Sequence, residues 1–241
     1  MQTKMHELSI IIPAYNEANI IPNTIKQIHE YFNNINLDVE IILVDNCSND
    51  NTQNVISKLS KNIPNLVYLK ENMLGKGYAV NRGILSSKGK YCFICDADLS
   101  MPINEFAKFY PMKDDVDIVI GSREMKESVR TNESITTHYR GRIFNFIVRL
   151  LQLTKYKDTQ CGFKLFRKEA GNCLFNLQLT FGFCFDVEIL FIAFLKSYRV
   201  SEVPILWNHC TNTKVKFFKD SSIMFFDLLR IYYYYFRGFY K

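Results

Sequence analysis

Asp96 and Asp98 close the stretch KYCFICDADLS, Lys90 to Ser100, where an apolar run with the pattern of a buried strand stops at two carboxylates. On extended backbone, residues i and i+2 point the same way, so the two side chains converge on one point. Like charges at the end of an apolar strand are costly unless something neutralises them, and a divalent cation with oxygen ligands is the least expensive candidate. Mg²⁺ or Mn²⁺ keeps several waters and is completed by substrate phosphates, so the pair suggests a metal-bridged diphosphate. A lone Asp-x-Asp is weak evidence, because one Asp capping a helix while the other faces water is the commoner outcome. Its weight rises with the company at other strand ends: Pro13-Ala14-Tyr15-Asn16-Glu17, Asp45-Asn46 and Gly121-Ser122-Arg123 each follow an apolar run.

These groups need a scaffold that gathers strand ends. LSIIIP predicts a first strand, and Ile21, Ile25, Ile28 and Phe32 predict a helix whose first turn suits Pro22. EIILVD predicts a second strand, followed by a helix from about Asn51 with Val55 and Leu59 on one face. The strand NLVYLKE, the helical GYAVNRGILSS and the strands KYCFICD and DIVIGSR complete an alternation. Such alternation implies an α/β fold with a mainly parallel sheet covered on both faces, and ligands bind outside the carboxyl ends of its strands.

The second half is less regular. RGRIFNFIVRLL carries the stripe of an amphipathic helix, DTQCGFKLF interrupts the pattern as a loop, FDVEILFIAFLKS resumes a helix and RVSEVPILW reads as a strand. In KFFKDSSIMFFDLLRIYYYYFRGFYK, Asp220, Asp227, Arg230 and Arg237 share one face of a helix otherwise rich in Phe, Leu, Ile, Met and Tyr. With Lys214, Lys216, Lys219 and Lys241 nearby, the segment is either an interfacial membrane helix or a terminal helix docked on the core or in a homodimer.

Length and composition bound the reading. At 241 residues, with 48% hydrophobic and 22% charged residues, the chain is expected to form one globular core. A net charge of +6 suits an anionic ligand or surface but falls short of a nucleic-acid signature. MQTKMHELSIIIP has no signal-peptide h-region, and Asp227 and Arg230 interrupt the apolar carboxyl end, so the expectation is a cytoplasmic protein without a membrane span. The seven cysteines are odd in number and sit mostly in apolar runs, as reduced thiols do. Cys92 and Cys95 form a CxxC, but on a strand they point to opposite faces, which disfavours zinc.

From about Leu8 to Val215 the chain resembles the glycosyltransferase family 2 enzymes of GT-A fold, a Rossmann-like sheet flanked by helices. SIIIPAYNE, ILVDNCSND, GKGYAVNRGI, DADLS, GSR, DTQCGFKLF, FDVEIL and EVPILW stand in that family's order. DTQCGFKLF followed by FDVEIL looks most like the branch of dolichyl-phosphate glucosyltransferases and polyprenyl-phosphate sugar synthases. The resemblance implies a domain over residues 1–212 and an appended amphipathic segment over 213–241. It also implies that Pro13, Ala14, Tyr15, Glu17 and Asp45 meet the nucleoside, that Asp96 holds the donor and Asp98 the metal, and that Lys76 approaches the donor. Two other readings of the Gly-Lys-Gly turn fail: residue 80 is Val where a dinucleotide GxGxxG needs Gly, and no Ser or Thr follows Gly-Lys as in a P-loop.

The acceptor side is basic. The family's polysaccharide synthases carry an acidic base after the DxD region and a Gln-x-x-Arg-Trp sequence; neither is evident here, and Trp207 sits in VPILWN. A hydroxyl acceptor needs a general base. A phosphate monoester, with a second pKa of about 6, is already an anionic nucleophile and needs only positioning. Arginine suits that work, because its planar fork binds phosphate bidentately and stays charged. Arg123 ends a core strand; Arg130, Arg140 and Arg142 follow, each more readily read by itself as a solvated charge, and Arg140 is chosen for the second clamp, with Arg142 fitting nearly as well. Asp158 and Gln160 of the DTQCGF loop, with Lys214, are expected to shape the acceptor pocket. Asp186 and Glu188 are expected just ahead of a helix and read equally as helix-terminus charges, and Ser100 stands where some relatives carry an amide near the metal.

The expected function is therefore an inverting, Mg²⁺- or Mn²⁺-dependent hexosyltransferase. It would move a sugar from a nucleotide diphosphate sugar, UDP-glucose in the favoured case, to a polyprenyl or dolichyl phosphate at the cytosolic membrane face. Asp98, Arg123 and Arg140 would carry the chemistry, with amphipathic segments near Phe144 and Phe225 on the bilayer. The alternatives are a soluble transferase acting on a glycan, protein or small phosphorylated acceptor, and a non-catalytic nucleotide-sugar-binding membrane subunit.

Overall fold

The computed structural model describes residues 5–131, 148, 155–208 and 217–241, with side chains from 223 onward in the last segment. Strands β1 (Leu8–Ala14), β2 (Val39–Asn46) and β3 (Leu66–Glu71) alternate with helices α1 (Ile21–Asn34) and α2 (Thr52–Asn62). Helix α3 (Lys76–Ser86) leads into β4 (Tyr91–Ile94), and two 3₁₀ turns precede β5 (Ile118–Ser122) and the short β6 (Val129–Thr131). Then come β7 (Lys164–Arg167), α4 (Lys168–Asn176), α5 (Phe185–Leu195), β8 (Val200–Pro204), β9 (Leu206–Asn208) and α6 (Phe217–Phe236).

Seven strands form one sheet in the order β3-β2-β1-β4-β7-β5-β8, while β6 and β9 pair in parallel beside it. The strands β3, β2, β1 and β4 are parallel, and β5 pairs parallel with β8. β7 alone runs antiparallel, between β4 and β5. Thus β1, β2, β4 and β5 all end at one edge. The chain lays β2 and β3 on one side of β1, then returns to place β4 on the other, which makes the edge between β1 and β4 a topological switch point.

The central strands read as continuous apolar runs because both faces are covered; every residue of β2 is buried. Ile10, Ile12, Leu43, Phe93 and Cys95 face α1 and the 3₁₀ turns, whereas Ile11, Cys92 and Ile94 face α3, α4 and α5. The CxxC cysteines therefore sit on opposite faces, in two separate clusters. α5 is buried on nearly every side, as a helix apolar all round must be, and α6 covers it with Met224, Leu228 and Ile231. No helix among the described residues is long and apolar enough to cross a membrane.

Three expectations are corrected. The second half of DTQCGFKLF is strand β7, not loop: its Leu165 and Phe166 are buried on opposite faces of the sheet, with the period of two that a strand gives. Asp227 is buried against the core rather than displayed with Arg230 on an open face of α6. Asp186 and Glu188 lie inside the first turn of α5 instead of ahead of it. Of the helix read in RGRIFNFIVRLL only Val148 is among the described residues, where it is helical and fully buried; the rest of that reading lies outside them.

Phe93 sits where β4 meets the 3₁₀ turns, with its ring 5.0 Å from Phe106 and 4.9 Å from Phe163, both edge to face. Phe93→Ala is expected to cost about 3–5 kcal/mol of unfolding free energy, read from urea denaturation. A cost below about 1 kcal/mol would show that this contact does not hold the two segments together.

Candidate active site

The turn after β1 and the loop after β2 build one wall. Asn16 (φ 54°) and Cys47 (φ 60°) take left-handed backbone there, a cost that the bonds between the two segments offset. The amide of Asn16 donates to Ser48 Oγ at 2.9 Å, that of Glu17 to Thr52 Oγ1 at 2.8 Å and that of Ala18 to Asp50 Oδ2 at 3.3 Å. The Asn16 side-chain oxygen accepts from the Asn49 amide at 2.9 Å. Asp45, almost fully buried opposite Ala14, accepts from the Ser48 amide at 3.2 Å. Pro13 and Glu17 are half-buried beside it and Tyr15 is exposed, so the predicted nucleoside residues share one ledge.

The second wall is the DxD turn. Lys76 Nζ lies 2.6 Å from Asp96 Oδ1. Asn46, at the end of β2, accepts from the Gly75 amide at 2.9 Å and donates to the Met73 carbonyl at 2.6 Å, which fixes the turn that delivers Lys76. Thr24 of α1 donates to the Ala97 carbonyl at 2.6 Å, and the Ser100 amide donates to Asp98 Oδ1 at 2.9 Å across Leu99 (φ 46°). The Ser100 carbonyl accepts from the Asn208 amide at 2.7 Å. Burial pushes the Lys76 ammonium down, but Asp96, Asp186 and Asp98 outweigh it and hold the group above its ordinary value. Lys76 is thus a permanent cation.

One loop joins this turn to Arg123. Asp158 has no exposed surface and accepts three N–H groups of Arg123: Nε at 2.6 Å, Nη2 at 2.8 Å and the backbone amide at 3.0 Å. Burial pushes the Asp158 carboxyl up, yet Arg123 reverses that and holds it at about 2. Four residues on, a Cβ on Gly162 would lie 1.9 Å from Asp96 Oδ2, so only glycine lets the loop pass over that carboxylate. Buried Lys164 donates to Asp186 Oδ1 and to the Cys161 carbonyl, each at 2.5 Å. Burial pushes Asp186 up, and Lys164 and Lys76 oppose it. Trp207 of β9 lies 5.5 Å from the Arg123 guanidinium, next to the Asn208 amide that holds Ser100.

The structure therefore gathers Asp45, Lys76, Asp96, Asp98 and Arg123 at the carboxyl edge of the sheet. Asp158 is enclosed and holds Arg123. Gln160 donates to the Phe183 carbonyl at 3.4 Å from its side chain and to Asp158 Oδ1 at 3.2 Å from its backbone. Arg130 donates to the Arg123 carbonyl and to Glu124. Arg140, Arg142 and Lys214 lie outside the described residues. Thr24, Asn46, Gly162, Lys164 and Trp207 were not singled out as site residues from sequence. Of these, Lys164 had a signal, a lysine between apolar residues in GFKLF.

Among the described residues no three metal-ligating side chains cluster. Asp96 and Asp98 nevertheless offer hard oxygen donors at the carboxyl edge of the sheet, Asp98 exposed, and leave positions for ligand oxygens and water. That donor set fits a Mg²⁺- or Mn²⁺-like cation shared with a diphosphate, not an all-protein cage.

Comparison with known proteins agrees with this geometry. The profile of "Glycosyl transferase family 2" matches residues 9–175. A dolichyl-phosphate beta-glucosyltransferase of Dictyostelium discoideum is 33% identical, the match covering 97% of this chain and 76% of the relative. Proteins of the same name are 30% identical in Saccharomyces cerevisiae (97% and 76% covered) and 30% in Homo sapiens (93% and 74%). Among solved structures, glucosyl-3-phosphoglycerate synthase from Mycobacterium tuberculosis with Mn²⁺ and UDP-glucose superposes with a TM-score of 0.66 at 16% identity, covering 93% of this chain and 78% of that one. At that identity the likeness speaks to the fold.

Asp158→Asn leaves the half-buried Arg123 without its counter-charge and is expected to cost about 3 kcal/mol. Because the folded carboxyl is held at about 2, below the unfolded value, the pair's contribution is complete above the unfolded value and is lost as pH falls through about 2. Urea unfolding of both forms should give a constant difference from about pH 8 to about pH 5 that shrinks only in stronger acid. A difference already gone at about pH 5 would contradict the assigned pairing.

Proposed function

The chain belongs to glycosyl transferase family 2, and from that premise we propose that it transfers glucose from UDP-glucose to dolichyl phosphate with inversion at the anomeric carbon. Relatives that carry the dolichyl-phosphate beta-glucosyltransferase name over nearly the whole chain support the donor sugar and the acceptor. The observation that carries the reading is the Asp158–Lys164 loop, which bonds Arg123 at one end and passes over Asp96 at the other. It joins a cationic grip to a diphosphate seat.

In this reading Pro13, Ala14, Tyr15, Glu17 and Asp45 take the nucleoside, and Lys76 with Asp96 takes the donor's polar groups. Asp96 and Asp98 would hold Mg²⁺ or Mn²⁺, whose charge stabilises the departing diphosphate when bound. Asp158 occupies Nε and one Nη2 hydrogen of Arg123, so the remaining edge of the guanidinium is turned to the lipid phosphate as a preset fork. Gln160, Arg140 or Arg142, and Lys214 complete the acceptor side. A phosphate oxygen forms the bond to the anomeric carbon as the bond to the diphosphate oxygen breaks, and the electron pair leaves with UDP. No general base is needed, because the acceptor is already an anion.

We also place the enzyme on the cytosolic membrane face through the segment 213–241. The inner face of α6 is docked, while Phe225, Phe226, Leu229, Tyr233, Phe236 and Phe239 are exposed alongside Arg230, Arg237 and Lys241. Aromatic and aliphatic side chains edged by cations suit an anionic interface. A homodimer through the same face is the competing occupant.

Incubation with dolichyl phosphate, Mn²⁺ and, in turn, UDP-glucose, UDP-galactose, UDP-GlcNAc and GDP-mannose should make glucose alone extractable into solvent. Turnover confined to hydroxyl acceptors would overturn the acceptor assignment. Asp98→Asn should lower the rate by at least about a hundredfold with the fold intact, and unchanged turnover would remove Asp98 from the site. Phe226→Glu should abolish sedimentation with anionic vesicles; a shift from dimer to monomer with vesicle binding unchanged would assign the face to a second copy.

A further inference from the structure

Glu188 and Tyr240 are buried polar groups that lie outside the transfer chemistry. Glu188, in the first turn of α5, has no exposed surface. Its carboxylate accepts from the Leu179 amide at 3.1 Å, from the Thr180 amide at 2.7 Å and from Tyr240 Oη at 2.6 Å. Burial pushes this group up to about 7 against those bonds, so the carboxylate is kept at a cost that an apolar residue would avoid. Tyr240 is itself buried, beyond the end of α6, with its ring 6.2 Å from that of Phe191 on α5.

The loop that Glu188 grips is the one that grips the donor turn. The Phe181 carbonyl accepts from the Gly77 amide at 3.0 Å, and the Phe181 ring stacks on Tyr78 at 4.0 Å and 4°. Gln178 Nε2 reaches the Gly77 carbonyl at 3.4 Å and the Thr180 carbonyl at 2.9 Å. A Cβ on Gly75 would sit 2.6 Å from the Phe181 oxygen and one on Gly77 2.8 Å from Phe181 Cα. Both neighbours of Lys76 therefore press on Phe181 with no spare room.

We infer that Glu188 and Tyr240 are positioning residues of the donor site: they latch the Leu179–Phe181 loop against the Gly75–Gly77 turn and so set Lys76 over Asp96. Each link is a direct contact, from Tyr240 to Glu188, to the Thr180 amide, to Phe181, to the Gly77 amide and to Lys76. The latch also ties the turn that follows α6 to the donor pocket, so seating of the carboxyl-terminal segment and donor binding share one hydrogen bond. The inference rests on the assignment of Lys76 to the donor made above.

The test measures UDP binding by calorimetry and KM for each substrate in the wild type, Tyr240→Phe, Lys76→Met and the double variant. Tyr240→Phe should raise the UDP Kd and the KM for UDP-glucose by about tenfold, leave the KM for dolichyl phosphate unchanged, and add nothing to Lys76→Met. Glu188→Gln, which keeps the side-chain shape, should move the same constants in the same direction. The latch is overturned if Tyr240→Phe weakens both substrates alike, leaves the donor unaffected while Lys76→Met weakens it, or adds in full to Lys76→Met. If Lys76→Met leaves UDP binding unchanged, the donor assignment falls and the latch with it.

Discussion

The site depends on one reversed strand. β7 enters the sheet from the edge at which β4 and β5 end, so the loop before it must lie at that edge, and Lys164, the first residue of β7, pairs with Ile94 and Ile120. A parallel strand at the same place would leave its preceding loop at the opposite edge, away from the strand ends that bear polar residues. The reversal thus delivers Asp158 to Arg123, Gly162 to Asp96 and Lys164 to Asp186 in a single pass. The Asp158 carboxylate is fully enclosed, and its bonds to Arg123 are what make that burial tolerable.

The charges around the DxD turn alternate in a way that explains both their burial and their unfinished state. Lys164 is committed to Asp186 and Lys76 to Asp96, which leaves Asp98 exposed and, among the described residues, without an ion pair. Two ammonium groups against three carboxylates leave one negative charge in excess. That imbalance at the carboxyl edge of the sheet suits a cation that arrives with an anionic diphosphate, since the cation then meets protein and ligand charge together. The side chains of Thr24, Asn46 and Ser48 fix the surrounding turns, Thr24 donating to the Ala97 carbonyl while Asn46 and Ser48 accept from the amides of Gly75 and Asn16.

The carboxyl-terminal helix has two apolar faces with different fates. Met224, Leu228 and Ile231 satisfy the ordinary need to cover α5, whose all-round apolar surface has to be enclosed. The opposite face, from Phe225 to Phe236, remains open, a larger apolar exposure than scattered surface hydrophobics account for. The docked face also carries the chain on to Tyr240, whose hydroxyl donates to the buried Glu188 carboxylate at 2.6 Å and so ties the turn after α6 to the first turn of α5.

Most of the scaffold was readable from the chain alone. Period-two and period-3.6 apolar patterns report which face each segment buries, and these placed β1 to β5, α1 to α3 and the ledge of Asp45, Asp96, Asp98 and Arg123 at one edge. The separation of Cys92 from Cys95 followed from the same two-residue period. What needed the folded molecule was every feature set by partners distant in sequence. DTQCGFKLF carries a Gly and buried charges that mask its strand, so β7 and its direction were invisible until Ile94 and Ile120 stood beside Lys164. Asp158 read as an acceptor residue and holds Arg123; Glu188 read as a helix-end charge and is, beyond that, a buried acceptor for Tyr240. Local periodicity encodes burial, but the partner of a buried charge is chosen by strand order and direction, and those exist only once the sheet has closed around it.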